Sequence, residues 1–156
     1  MLDAMRRVVL AGEDAPDPHL LDPLAGDGSA AAPFAIDDLA FTHSGDTRGG
    51  EKMRAGYPGC DSGQNESGPE RTYRLSLAQA TPVRILVLDR GDVDVDVHLI
   101  SGGACVERND RVIDRTLPAG EHTIVVDSFV ASGGVEKSGA YSLVVVHCEP
   151  GDAACQ

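Results

Sequence analysis

Asp92-Val93-Asp94-Val95-Asp96-Val97-His98-Leu99 alternates polar and aliphatic residues without a break. Successive side chains of a β-strand point to opposite faces, so Val93, Val95, Val97 and Leu99 share one face while Asp92, Asp94, Asp96 and His98 share the other. The aliphatic face belongs to a core. The acidic face is expected to be solvated, with an arginine (Arg84 or Arg111) or a cation beside three carboxylates that repel one another. The run predicts a half-buried antiparallel strand in an all-β domain, and it carries no catalytic signature.

The same period extends to either side. Tyr73, Leu75 and Leu77 alternate over 72–77, and Val83, Ile85 and Val87 follow Pro82. A weaker strand is expected over 112–117, a strong one over 122–129, where Thr123, Ile124, Val125 and Val126 are β-branched, and a last one over 141–146. Ser101-Gly102-Gly103 and Pro118-Ala119-Gly120 read as turns, and Ser132-Gly133-Gly134 opens a loop. Upstream, 34–47 adds an edge strand anchored on Ile36, Leu39 and Phe41. The Gly-rich stretch 48–69 reads as a long loop built around Tyr57 and Cys60. Short strands at regular spacing without helical periodicity predict an antiparallel β-sandwich of jelly-roll type. Residues 1–33, rich in Ala, Asp, Pro and Gly, read as a largely irregular, flexible leader or linker ahead of a domain at 34–156.

The 156 residues suit one domain and an irregular segment. Hydrophobic residues make up 42% but aromatics only 4%, with no Trp, so the core rests on Val, Leu and Ile. A net charge of -12 opposes nucleic acid and anionic lipid, both of which need a basic footprint. It permits divalent cations, basic polymers, or solubility alone. No apolar run approaches the ~18 residues of a membrane span. The apolar stretch within residues 1–12 is shorter than the roughly 7–15 residues of a signal-peptide h-region.

Four cysteines, Cys60, Cys105, Cys148 and Cys155, allow three pairings. The favoured one is Cys60–Cys105 with Cys148–Cys155. The first bond ties the loop before the first core strand to the loop after the acidic strand. Chain entropy gives the longer closure ~4 kcal/mol and the shorter ~2 kcal/mol. Such bonds imply an oxidising compartment, extracellular, periplasmic or at the cell surface; four free thiols in a cytosolic protein are the alternative. A zinc ribbon or finger is a poor match, since no C-x2-C pair occurs.

Four segments then fall in a recognisable order: Gly68-Pro69-Glu70-Arg71-Thr72-Tyr73-Arg74-Leu75-Ser76-Leu77, Asp94-Val95-Asp96-Val97-His98-Leu99, Leu117-Pro118-Ala119-Gly120-Glu121-His122-Thr123-Ile124-Val125-Val126-Asp127, and Gly139-Ala140-Tyr141-Ser142-Leu143. Phe41-Thr42-His43-Ser44-Gly45-Asp46-Thr47 precedes them. Together they resemble the bacterial pre-peptidase C-terminal domain family over about two-thirds of the chain. The resemblance implies a jelly-roll sandwich that is non-catalytic and sits beside secreted peptidases and other exported hydrolases. It further implies a part in secretion, maturation or substrate attachment. The expected partners are an extracellular polymer or protein substrate, or a fused or adjacent hydrolase domain. The alternative is a stand-alone envelope or surface protein stabilised by calcium.

The related collagen-binding domains bind calcium through a segment before the sandwich. Here Asp61-Ser62-Gly63-Gln64-Asn65-Glu66-Ser67 is rich in oxygen donors of the kind calcium takes. Asp61, Glu66, Asp94, Asp96 and Asp127 are therefore the expected ligands if Ca²⁺ is a cofactor. The acidic run does not make an EF-hand, because Val97 stands at loop position 6 and Gly103 at position 12. No H-E-x-x-H pair and no G-x-S-x-G elbow occur. His43-Ser44-Gly45-Asp46 holds the letters of a triad, but a triad needs convergence in space rather than adjacency. The sequence reads as a binding or accessory module rather than an enzyme, with Tyr73 and Tyr141 packed in its core.

Overall fold

The computed structural model of the chain describes residues 24–60 and 63–149. Most of the expected leader, Asp61 and Cys155 lie outside them. The strands are β1 (Phe34–Ile36), β2 (Phe41–Asp46), β3 (Glu70–Leu77), β4 (Thr81–Asp89), β5 (Val95–Ser101), β6 (Ala104–Asn109), β7 (Val112–Leu117), β8 (Gly120–Ser128), β9 (Val130–Ala131), β10 (Val135–Glu136) and β11 (Ala140–His147). One sheet has the order β1-β3-β8-β5-β6 and the other β2-β11-β4-β7.

The pairs β2·β11, β3·β8, β4·β7 and β5·β6 are nested, as in one long hairpin. Successive nested pairs fall in alternate sheets, so the hairpin is folded over on itself. That is the jelly-roll connection. Pairing of β5 with β8 and of β4 with β11 completes each sheet. β1 alone runs parallel to its neighbour, β3.

The alternation read in the sequence sets the core. Tyr73, Leu75, Val95, Val97, Leu99, Ile124 and Val126 project from one sheet. Val83, Ile85, Val87, Ile113, Leu117, Tyr141, Leu143 and Val145 meet them from the other. The two tyrosines do more than pack. Tyr73 Oη lies 2.6 Å from Tyr141 Oη and 2.7 Å from His43 Nδ1, which joins β3, β11 and β2 across the sandwich. His43 therefore faces the interior while Ser44, next along β2, faces out, so the triad letters do not converge.

Two expectations are corrected and one is extended. The acidic strand begins at Val95, and Asp92 and Asp94 are exposed in the connection before it. Ser101-Gly102-Gly103 ends β5 as expected, and Gly102 and Gly103, at φ of 61° and 83°, form a two-residue hairpin into β6, a strand the sequence did not predict. Such paired positive φ values suit the right-handed twist of a tight hairpin and favour glycine. Ser132-Gly133-Gly134 caps a second hairpin, β9–β10, rather than opening a plain loop.

Candidate functional site

Cross-strand register sets a row of carboxylates on the outer face of the five-stranded sheet. Glu70 of β3 is partnered with Asp127 of β8, and Asp127 with Asp96 of β5. This is the face that the sequence pattern leaves to water. The structure instead buries it: Asp127, Glu70, Asp96 and Glu66 are at most 2% exposed, and His98 is fully buried. The cover is the chain from 51 to 60 together with 63–69, which lies across β3, β8 and β5.

The cover has one aromatic anchor. The Tyr57 ring stacks on His98 with centroids 3.6 Å apart and planes 10° apart. Its hydroxyl donates to Asp127 Oδ2 at 2.7 Å and lies 3.3 Å from Glu70 Oε2. Arg54 pairs with Glu70 and sits 5.9 Å from the Tyr57 ring centroid. The disulfide Cys60–Cys105 fixes the far end of this stretch to β6 with Cα atoms 5.6 Å apart. Tyr57, Cys105 and Val125 form a small apolar cluster of their own there, separate from the main core.

Arg108 of β6 neutralises the other side of the row. It reaches Asp96 Oδ2 at 2.7 Å, Asp110 Oδ1 at 2.9 Å and Glu66 Oε1 at 3.2 Å. The arginine beside the acids is thus Arg108, not Arg84 or Arg111. Arg84 is engaged on the other sheet, where it forms a bidentate pair with Asp114 at 2.6 Å. A bulge between Leu99 and Ile100 explains the geometry. Ile100 is opposite Cys105 and His98 opposite Arg108. Two residues on β5 therefore match three on β6, which turns both Cys105 and Arg108 to the covered side.

Burial dominates the electrostatics. It pushes the Asp127 carboxyl up to about 8; the Tyr57 hydrogen bond opposes this and the Glu70 charge adds to it. Asp96 rises to about 7 through burial, against the stabilising Arg108 guanidinium. Glu70 is also raised by burial, with Arg54 pulling the other way. His98 falls to about 3, because burial and then the Arg108 and Arg54 charges disfavour the imidazolium. The Tyr57 phenol is raised by burial and by the Asp127 and Glu70 charges. Several polar atoms under the cover have no hydrogen-bond partner: both ring nitrogens of His98, Asp127 Oδ1 and Thr72 Oγ1. Glu66 Oε1 lies 3.7 Å from His98 Nε2, beyond hydrogen-bond reach.

Of the expected calcium ligands, Glu66, Asp96 and Asp127 are brought under the same cover. Asp94 is exposed, where its carbonyl accepts from Phe129 N at 3.0 Å. Asp61 lies outside the described residues. Among the described residues no group of three or more His, Cys, Asp or Glu is arranged to hold a metal ion. Cys148 is disulfide-bonded as well, and its expected partner Cys155 lies outside the described residues. Arg54, Glu70 and Arg108 carry no site signal in the sequence; the hint for Glu70 is only its outward position on β3, next to a long Gly-rich loop.

The outer face of the four-stranded sheet contrasts with this. Register aligns Thr42, Val144, Leu86 and Val112 in one row across it, and Ser44, Ser142 and Leu88 in the next. These side chains are half-buried or exposed, and Leu88 is 46% exposed. Among the described residues nothing lies over this face as 51–60 lies over the other.

No family model matches the sequence, and no curated protein matches it. Several solved structures are similar to it at low identity. The pre-peptidase C-terminal domain of a collagenase from Bacillus anthracis is 15% identical, covers 71% of this chain and 91% of its own, and gives a TM-score of 0.47. PliG of Aeromonas hydrophila, a periplasmic lysozyme inhibitor of g-type lysozyme, is 16% identical over 72% of this chain and 92% of its own, with a TM-score of 0.49. The CBM36-1 domain of a multidomain xylanase from the hindgut metagenome of Trinervitermes trinervoides is 13% identical over 70% and 100%, with a TM-score of 0.38.

Proposed function

We propose that this chain is a non-catalytic accessory module of the exported space, which attaches to an extracellular polymer through the outer face of its four-stranded sheet. The observation that carries this reading is the asymmetry of the two outer faces. One has its ionisable groups enclosed under 51–60 and engaged with one another, so they do not meet a substrate. The other offers a row of aliphatic side chains, Val144, Leu86 and Val112, beside the hydroxyls of Thr42, Ser44 and Ser142, bordered by the Arg84–Asp114 pair. Such a surface suits the flat, hydroxyl-edged faces of a neutral polysaccharide, where apolar contact and a few hydroxyl hydrogen bonds act together. The net charge of -12 turns away anionic polymers. Disulfide bonding supports an oxidising location, and an exported hydrolase is the natural neighbour for such a module.

The test is co-sedimentation of the protein with cellulose, chitin, peptidoglycan and collagen, each in calcium and in EDTA, alongside Leu86→Glu. Binding to cellulose or chitin that disappears in the variant is the expected result. Loss of binding in EDTA would add calcium to the reading, and retention would remove it. Absence of binding to every polymer, or binding that Leu86→Glu leaves unchanged, overturns the proposal.

A further inference from the structure

The stretch 51–60 is held by a few groups: one antiparallel bridge between Glu51 and Glu70, the Glu51 carboxylate accepting from Ala30 N at 2.8 Å, the Lys52–Glu136 and Arg54–Glu70 pairs, and Tyr57. Tyr57 is its only fully buried side chain; Arg54, Glu51 and Cys60 are half-buried and the rest are exposed. At its start the backbone bonds Glu70 N to Glu51 O at 2.7 Å. At its end Gly59, at φ 99°, approaches so closely that a Cβ there would meet Cys105 O at 2.4 Å. Only glycine permits that approach, and it is what brings Cys60 within reach of Cys105.

Closing the stretch over the sheet also carries a cost. It keeps His98, Asp127 and Thr72 from water while leaving four of their polar atoms without partners, and each buried, unsatisfied polar group opposes closure. The Tyr57 stack and the Arg54 pair offset that cost. The covalent tie adds an entropic restraint that those contacts need not supply. The main core lies between the two sheets, on the other side of β3, β8 and β5, and none of 51–60 belongs to it. Cys60 is half-buried, and Cys105, itself 7% exposed, borders with Arg54, Gly56, Tyr57, Ile100 and Gly103 an open groove of about 350 Å³.

We infer that Cys60–Cys105 is a thiol-sensitive latch whose reduction lifts 51–60 away from the five-stranded sheet while both sheets remain folded. A dithiol supplies the reducing equivalents. One of its thiolates attacks a cystine sulfur to give a mixed disulfide and one free cysteine thiol. Its second thiol then displaces the other cysteine, so two electrons and two protons pass to Cys60 and Cys105 and the dithiol becomes a disulfide. The opened form uncovers Glu70, Asp127 and His98, the groups that Tyr57 and Arg54 touch, a surface that the oxidised form withholds.

The experiment is hydrogen exchange read by mass spectrometry on the folded protein, with and without dithiothreitol. Alkylation of the reduced thiols maps which bond has opened. The double variant Cys60→Ser/Cys105→Ser separates this bond from the one at Cys148. Amides of 51–60 are expected to lose protection by about tenfold or more while those of β4 and β11 keep theirs. The inference is overturned by three results: unchanged exchange of 51–60 in the reduced protein, loss of protection across both sheets, or a Cys60–Cys105 bond that the dithiol leaves intact under native conditions. Should the double variant fail to fold, the reduced native protein decides the matter alone.

Discussion

Val125 and Val144 are the same residue on comparable strands, each on the outer face of its sheet. Val125 is fully buried and Val144 is half-buried. β8 and β11 are both central strands, so position in the sheet does not separate them. What differs is the stretch stapled over one sheet, which has no counterpart over the other among the described residues. The covered face has become a second, small interior with its own apolar cluster and its own buried charges. The open face has kept its aliphatic side chains within reach of a partner. In this molecule the inside is defined twice, once by the sandwich and once by a loop.

The strongest way to break that contrast is to place a carboxylate on each side. Val125→Asp should cost about 3 kcal/mol or more, since it buries a further unpaired acid beside Asp127 and Glu70. Val144→Asp should cost about 1 kcal/mol, mainly lost strand propensity. Denaturant unfolding of the pair gives both values, and equal costs would mean that 51–60 does not seal the face. Next in size is Tyr57→Phe. It removes the donor to Asp127 Oδ2 but keeps the ring on His98, and a loss of about 1–3 kcal/mol is expected. An unchanged midpoint would show that Asp127 is satisfied some other way.

Acidity probes the covered face alone. Asp127 and Asp96 hold their protons in the fold up to about pH 8 and about pH 7, but in the unfolded chain only to near 3.8. Between those limits the native state binds more protons, so stability falls as pH rises through the window and levels off above about 8. His98 acts in the opposite sense between about 3 and 6.5, where the unfolded chain takes up a proton that the fold refuses. The decline should therefore be clearest from about pH 6.5 to 8. Melting temperatures across that range test it, and a rise in place of a fall would show that the acids are ionised under their cover. The smallest effect belongs to the open face. Arg84→Ala breaks an exposed pair with Asp114 and should change stability by less than about 1 kcal/mol.

How much of this was legible in the sequence follows from the range of each interaction. Alternation in 72–77, in the stretch after Pro82 and in 93–99 pointed to Tyr73, Leu75, Leu77, Val83, Ile85, Val87, Val93, Val95, Val97 and Leu99 as core; all are buried except Leu77 and Val93, which pack against it half-buried. Cys60–Cys105 was favoured among three pairings and is the bond found. The strand β6 was missed because Ala104-Cys105-Val106-Glu107-Arg108-Asn109 has no clean alternation. Its bulge is the reason: a register shift changes which face each residue takes, so Cys105 and Arg108 come to the same side. The acidic face was read as solvated because alternation tells two faces apart but not what lies over them.

By itself, then, the sequence determined the principal strands other than β6, the core between them and the jelly-roll class. These follow from period-two side-chain placement and turn residues, which act over a few positions. Tertiary structure alone decided that Asp96 and His98 are buried, that Arg108 and not Arg84 meets Asp96, and that one outer face is closed while no described residue covers the other. Those outcomes depend on a loop and a bulge that bring together residues such as Tyr57, His98 and Asp127, far apart along the chain. Their free energies come from desolvation and charge pairing in that assembled place, which no local pattern contains.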